Sequence, residues 1–142
     1  MKIRFINVRD DDGSYRPAKT AFAGRGFGFG KLPARKPGRE LSLASVEVLE
    51  EVSGLDGLCV KKFMADLVTQ GVDYGELSPG TRLQAGEAVF EICTVGKRCF
   101  PECSLEQKPC ALAGGCAFAQ VKEEGSVRIG DEIRIISAED GN

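Results

Sequence analysis

Apolar and polar residues alternate in short stretches from one end of the chain to the other, and glycine-bearing turns separate them. Lys2 to Val8 alternates and predicts a strand, with Asp10 to Ser14 as the turn that follows. Ala88 to Val95 (AVFEICTV) is a dense run of strand-forming residues. Ala117 to Val121 alternates again, Glu123 to Gly125 reads as a hairpin turn, and Ser126 to Ile129 and Glu132 to Ile136 read as strands around a turn at Gly130 and Asp131. Before them, turns at Leu77 to Gly80 and Gln84 to Gly86 flank an extended piece that begins at Arg82 and Leu83. Helical spacing is confined to the middle. Leu43, Val46, Leu49 and Val52 recur at every third position, which predicts a helix capped by Ser42 and ended by Gly54 and Gly57. Val60 to Gln70 leans toward a second short helix starting near Lys61. Short strands with glycine turns at intervals of roughly 8–12 residues predict a mainly β fold, a small barrel or sandwich with one or two short helices.

Tyr15 to Gly38 breaks this rhythm, with Gly24, Gly26, Gly28, Gly30 and Gly38, Pro33 and Pro37, and cations throughout, and it predicts a loop. Its GRGFGFG lacks the spacing of a phosphate-binding or dinucleotide glycine loop, and no buried strand leads into it. At 142 residues the chain suits one domain spanning 1–142. Its formal charge of −2 offers no sign of nucleic acid as a partner. That charge is uneven, +6 over residues 1–40 and −8 over the rest. The basic part either serves a small anionic ligand or pairs with the acidic remainder across the fold. Histidine is absent, so Ser-His-Asp and Cys-His catalysis and histidine-ligated metals are excluded. The first residues hold no apolar stretch of signal-peptide length, and no segment reaches the ~20 apolar residues of a membrane span, so a cytoplasmic protein with reduced thiols is expected.

Five of the six cysteines lie in Cys93 to Cys116. Cys59 and Cys93 suit the core. Cys99, Cys103, Cys110 and Cys116 fall in a loop, 96–116, rich in proline and glycine. The spacing between them lacks the paired knuckles of a structural zinc site, while an iron–sulfur cluster tolerates irregular spacing, and both remain open as a cysteine-ligated centre. A reactive thiol is the third reading. Cys99 follows Lys97 and Arg98 directly, and neighbouring cations favour the thiolate. Cys103 is placed to resolve a persulfide or disulfide on Cys99.

The run Gly71 to Cys103 (GVDYGELSPGTRLQAGEAVFEICTVGKRCFPEC) and the run Phe118 to Ile133 (FAQVKEEGSVRIGDEI) resemble small stand-alone MOSC domains, named for the C-terminal domain of molybdenum cofactor sulfurase. PAKT (Pro17 to Thr20) and RELSL (Arg39 to Leu43) are similar to earlier segments of that family. The resemblance implies a MOSC-like β-barrel whose signature cysteine is matched by Cys99. It implies a sulfur carrier, with a persulfide received from a pyridoxal-phosphate-dependent cysteine desulfurase, or a binder of the molybdenum cofactor, molybdopterin, with that cysteine on molybdenum. An acceptor or biosynthetic protein of that cofactor would be the partner, and sulfurtransferase-like or cofactor-dependent activity would follow. Lys19, Thr20 and Arg39 would meet the pterin phosphate, while Lys97 and Arg98 would support the thiolate. The chain differs from the family in lacking the Gly-Asp-x-His segment, and it has Phe63-Met64-Ala65-Asp66 where many relatives carry Phe-x-Glu-Asn.

Overall fold

A computed structural model describes residues 1–10, 14–29, 40–52, 65–95 and 115–136. The described chain is mainly β with one short helix. Its strands are β1 (Lys2–Arg9), β2 (Tyr15–Ala18), β3 (Thr20–Ala23), β4 (Leu41–Ser45), β5 (Leu67–Gln70), β6 (Arg82–Ala85), β7 (Ala88–Val95), β8 (Cys116–Glu123), β9 (Gly125–Arg128) and β10 (Ile133–Ile136), with helix α1 (Val46–Val52) after β4. One sheet runs β10-β6-β7-β8-β4-β5-β1-β2, and β3 and β9 form a separate two-stranded ribbon.

The large sheet curls into a half-barrel. Its start and end meet where Lys2 bridges Glu132, the Ile3 amide donates to the Asp131 carbonyl at 2.9 Å and the Gly130 amide donates to the Ile3 carbonyl at 2.8 Å. Apolar residues from successive strands, including Ile3, Ile6, Leu41, Leu43, Leu67, Phe90, Ile92 and Ile133, fill the interior with Tyr74. Ala23 and Val127 of the ribbon are buried in the same cluster, so the ribbon covers the core with one face and shows the other to solvent. Phe29 docks edge-on against Phe90, ring centres 6.3 Å apart, and ties the chain leaving the glycine-rich turn to the core.

Several sequence expectations change. The segment expected as a loop from Tyr15 holds β2 and β3. The helix expected over Leu43–Val52 is half strand: Leu41–Ser45 lies between β8 and β5 and is buried on both faces, so it shows no alternation, and the three-residue spacing runs across the strand–helix junction. The cap is Ser45, whose hydroxyl accepts from the Val48 amide at 3.2 Å, and Ser42 is engaged elsewhere. Within Val60–Gln70, the last four residues form β5, parallel to β4, and 60–64 lie outside the described residues. Glu123–Gly125 is not a hairpin. Strand β9 leaves β8 and pairs with β3, and the departure is at Gly125, where a side chain would run into the Glu87 backbone of the β6–β7 turn. The turn expected at Gln84–Gly86 sits at Gly86 and Glu87. Among the described residues, no helix is long and apolar enough to cross a membrane.

Candidate functional site

The segment carrying most of the cysteines is rooted in the β7–β8 pair. Val95 is the Cα partner of Ala117, so β7 ends and β8 begins at one end of the barrel, beside the start of α1 and the end of β5. Cys99, Cys103, Cys110, Lys97, Arg98, Arg39 and Cys59 lie outside the described residues. Cys99 comes four positions after Val95.

Two cysteines are described. Cys116 is the first residue of β8, opposite Ala44 and fully buried, so this member of the four-cysteine set belongs to the sheet and not to the loop. Cys93 is half-buried and is the extra residue of a β-bulge between Ile92 and Thr94. Its thiol points to the Glu91 carbonyl at 3.6 Å, and burial together with the Glu91 charge pushes its pKa up. It is a poor nucleophile by that measure. Among the described residues, no three cysteine or acidic side chains are grouped to hold a metal.

Lys19 and Thr20 sit at the step between β2 and β3, both exposed. Thr20 faces Arg128 across the ribbon, and the Lys19 carbonyl accepts from the Ile129 amide at 3.0 Å. In the strand order, β4, β5 and β1 separate this step from the strands bearing Cys93 and Cys116. Arg128 was missed by the sequence reading, because its pairing spans more than a hundred residues of chain.

The glycine turn of residues 24–28 is held by carboxylates. Glu124 accepts from the Arg25 amide at 3.0 Å, and Glu40 accepts from the amides of Gly26 and, at 2.6 Å, Val121. Amides already occupied by carboxylates do not cradle a phosphate, which agrees with the absence of a glycine-loop fingerprint.

A second feature escaped the sequence reading. Asp66 and Ser42 form a closed couple: the Ser42 amide and hydroxyl donate to Asp66 Oδ2 at 2.8 and 3.0 Å, and the Asp66 amide donates back to the hydroxyl at 3.0 Å. Asn7 of β1 joins it, its amide donating to the Asp66 carbonyl at 2.9 Å. Burial raises the Asp66 pKa to about 6, against the lowering effect of the Ser42 hydrogen bonds and of Arg9.

No family model and no curated protein matches the chain. Solved structures do. The YuaD protein from Bacillus subtilis superposes with a TM-score of 0.64 at 19% identity, covering 96% of this chain and 95% of that one. YiiM from Geobacillus stearothermophilus gives 0.59 at 15% identity, covering 96% and 75%. Both are MOSC-domain proteins, and the chain shares their fold: it is a MOSC-like β-barrel.

Proposed function

We propose that the protein is a cytoplasmic accessory protein that carries sulfur or binds the molybdenum cofactor, with Cys99 holding a persulfide or ligating molybdenum. The MOSC-like fold supports this reading, and in the sequence Lys97, Arg98 and Cys99 follow within four positions of Val95, the last residue of β7. As a carrier, the Cys99 thiolate attacks the outer sulfur of a donor cysteine persulfide. A sulfur–sulfur bond forms at Cys99, the donor's own sulfur–sulfur bond breaks, and the donor cysteine leaves as a thiolate. One sulfur moves with no external oxidant, and Lys97 and Arg98 favour the anion at start and finish. The donor is a cysteine desulfurase and the acceptor a protein or intermediate of molybdenum cofactor metabolism.

The described residues fit the anionic end of molybdopterin in charge. Lys19 and Arg128 are exposed cations with no ion pair among the described residues, and Thr20, next to Lys19 in the chain and opposite Arg128 in the ribbon, offers a hydroxyl. They would hold its phosphate with Arg39, and the bound group would supply the redox chemistry of molybdenum at the Cys99 thiolate.

The test is to incubate the full chain anaerobically with a cysteine desulfurase and cysteine, then map peptides by mass spectrometry. Gain of one sulfur atom on the Cys99 peptide, absent in Cys99→Ser, is the expected result. An unmodified Cys99 peptide in protein that also contains no pterin ends this reading. Stoichiometric iron or zinc in protein purified without oxygen would replace it with the cysteine-ligated centre of Cys99, Cys103, Cys110 and Cys116.

A further inference from the structure

Beyond the phosphate contacts proposed above for Lys19, Thr20 and Arg128, the outward face of the β3–β9 ribbon carries exposed rings and a third cation that neither the barrel nor Cys99 explains. Thr20 and Phe22 of β3 and Ser126 and Arg128 of β9 project from it, as Cα partners Thr20↔Arg128 and Phe22↔Ser126. Phe22 is 58% exposed, and Phe27, in the turn that follows, is 46% exposed. Lys19 and Arg128 stand at one end of the ribbon and Arg25 at the other. All three are exposed, and none has an ion pair among the described residues. The neighbouring acids are otherwise engaged: Glu124 accepts from the Arg25 amide, Glu87 from the Ser126 amide and Asp131 from the Arg128 amide. Each is turned to the backbone, while the cationic side chains face solvent.

The result is a strip of cation, aromatic ring and cation along a ribbon roughly 13 Å long at ~3.3 Å per residue. Phe22 and Arg128 are diagonal neighbours, within reach of one bound group. The sequence extends the same character, because residues 13–39 contain seven Lys or Arg and no acid. A net charge of −2 for the whole chain averages over this local surplus.

We propose that this face binds single-stranded nucleic acid, its phosphates meeting Lys19, Arg25 and Arg128 and a base stacking on Phe22. An exposed ring between unpaired cations is the arrangement that binds single strands without reading sequence. An acidic peptide with apolar anchors fits less well, since Phe22 stands between Thr20 and Ser126 and not in a pocket that would enclose an anchor.

The experiment is fluorescence anisotropy of the full chain with a labelled oligouridylate of about 15 nucleotides, within the usual footprint of such surfaces. The expected result is saturable binding that weakens steeply as salt rises from about 50 to about 200 mM. Phe22→Ala should weaken it about five- to tenfold, near the low end for loss of one stacked base. Arg128→Ala should also flatten the salt dependence by about one contact, and Arg134→Ala on β10 should change neither. Phe22 is solvent-facing, so its variant should fold, and circular dichroism checks this. Absence of saturable binding at the lower salt overturns the proposal. So does displacement of the oligonucleotide by polyglutamate at equal charge with Phe22→Ala unaffected, which would mark an acidic-peptide surface. Displacement by inorganic pyrophosphate at low concentration, which would mark a point site for a small phosphate, overturns it as well.

Discussion

Asp66→Asn tests the account of the Ser42–Asp66 couple most directly. The carboxylate is enclosed where β1, β4 and β5 meet, and the charge it carries at neutral pH is what burial penalises. Its folded-state pKa of about 6 lies above the ordinary aspartate value of 3.8. Below the unfolded value both states hold the proton and no penalty exists. Between the two values the unfolded chain has released the proton while folded Asp66 still holds it, so stability falls as pH rises, and above about 6 the loss is complete. A separation of about two units corresponds to roughly 3 kcal/mol at 1.36 kcal/mol per unit. Asparagine keeps an oxygen that accepts from the Ser42 amide and hydroxyl and removes the charge.

Urea denaturation of both proteins from about pH 3.5 to 8 reads this out. Asp66→Asn should gain on the wild type by ~2–3 kcal/mol between the acid and neutral limits, with the rise falling between the two pKa values. Any constant cost of placing an unpartnered amide NH2 shifts the whole difference curve and leaves its slope untouched. A pH-independent difference would refute the argument, since it would mean that the carboxyl is solvated well enough to keep its ordinary pKa.

The remaining predictions concern packing and thiols. At Gly28 the backbone φ is +73° and an added Cβ would collide with the Glu40 carbonyl, so Gly28→Ala should cost more than about 3 kcal/mol in thermal or urea unfolding. Gly26, at φ +85° with open space around it, should lose only about 1 kcal/mol on the same change. Tyr74→Phe removes a buried 2.9 Å hydrogen bond to Thr69 but leaves the Thr69 hydroxyl the Ala44 carbonyl at 3.4 Å, so its cost should be about 1 kcal/mol. With iodoacetamide at neutral pH followed by peptide mapping, Cys116 should stay unmodified until the protein unfolds, and Cys93 should lag behind an exposed thiol. Rapid native labelling of Cys116 would contradict its burial.

Strand β7 was legible to the residue, because Ala88 to Val95 is a continuous run of strand formers, and the alternation of Ala117 to Val121 located the middle of β8. The β4–α1 junction was not, since a strand buried on both faces has no alternation and Leu43, Val46, Leu49 and Val52 imitate a helical stripe across two elements. The ribbon was half legible: Ser126 to Ile129 reads as a strand, whereas Thr20 to Ala23 lies in a glycine-rich stretch that reads as loop, and Thr20 finds Arg128 through a pairing that only the closed fold creates. Of the expected site residues, Lys19 and Thr20 could be named from their motif, but their exposure and their partner Arg128 could not.

Charge shows the same limit most clearly. The sequence left two readings of its basic beginning and acidic remainder, and side-chain pairing across the fold was one of them. Among the described residues the ion pairs given by the structure are Arg16–Asp10, Arg82–Glu91, Lys122–Glu91 and Arg134–Glu132, and none of them joins the basic part to the acidic part. The carboxylates of Glu40, Glu47, Asp66, Asp73, Glu87, Glu124 and Asp131 accept from backbone amides instead, holding turns and strand ends. Among the described residues, Lys19, Arg25 and Arg128 on the ribbon have no ion pair, which is the condition that both the phosphate of a cofactor and a nucleic-acid strand require.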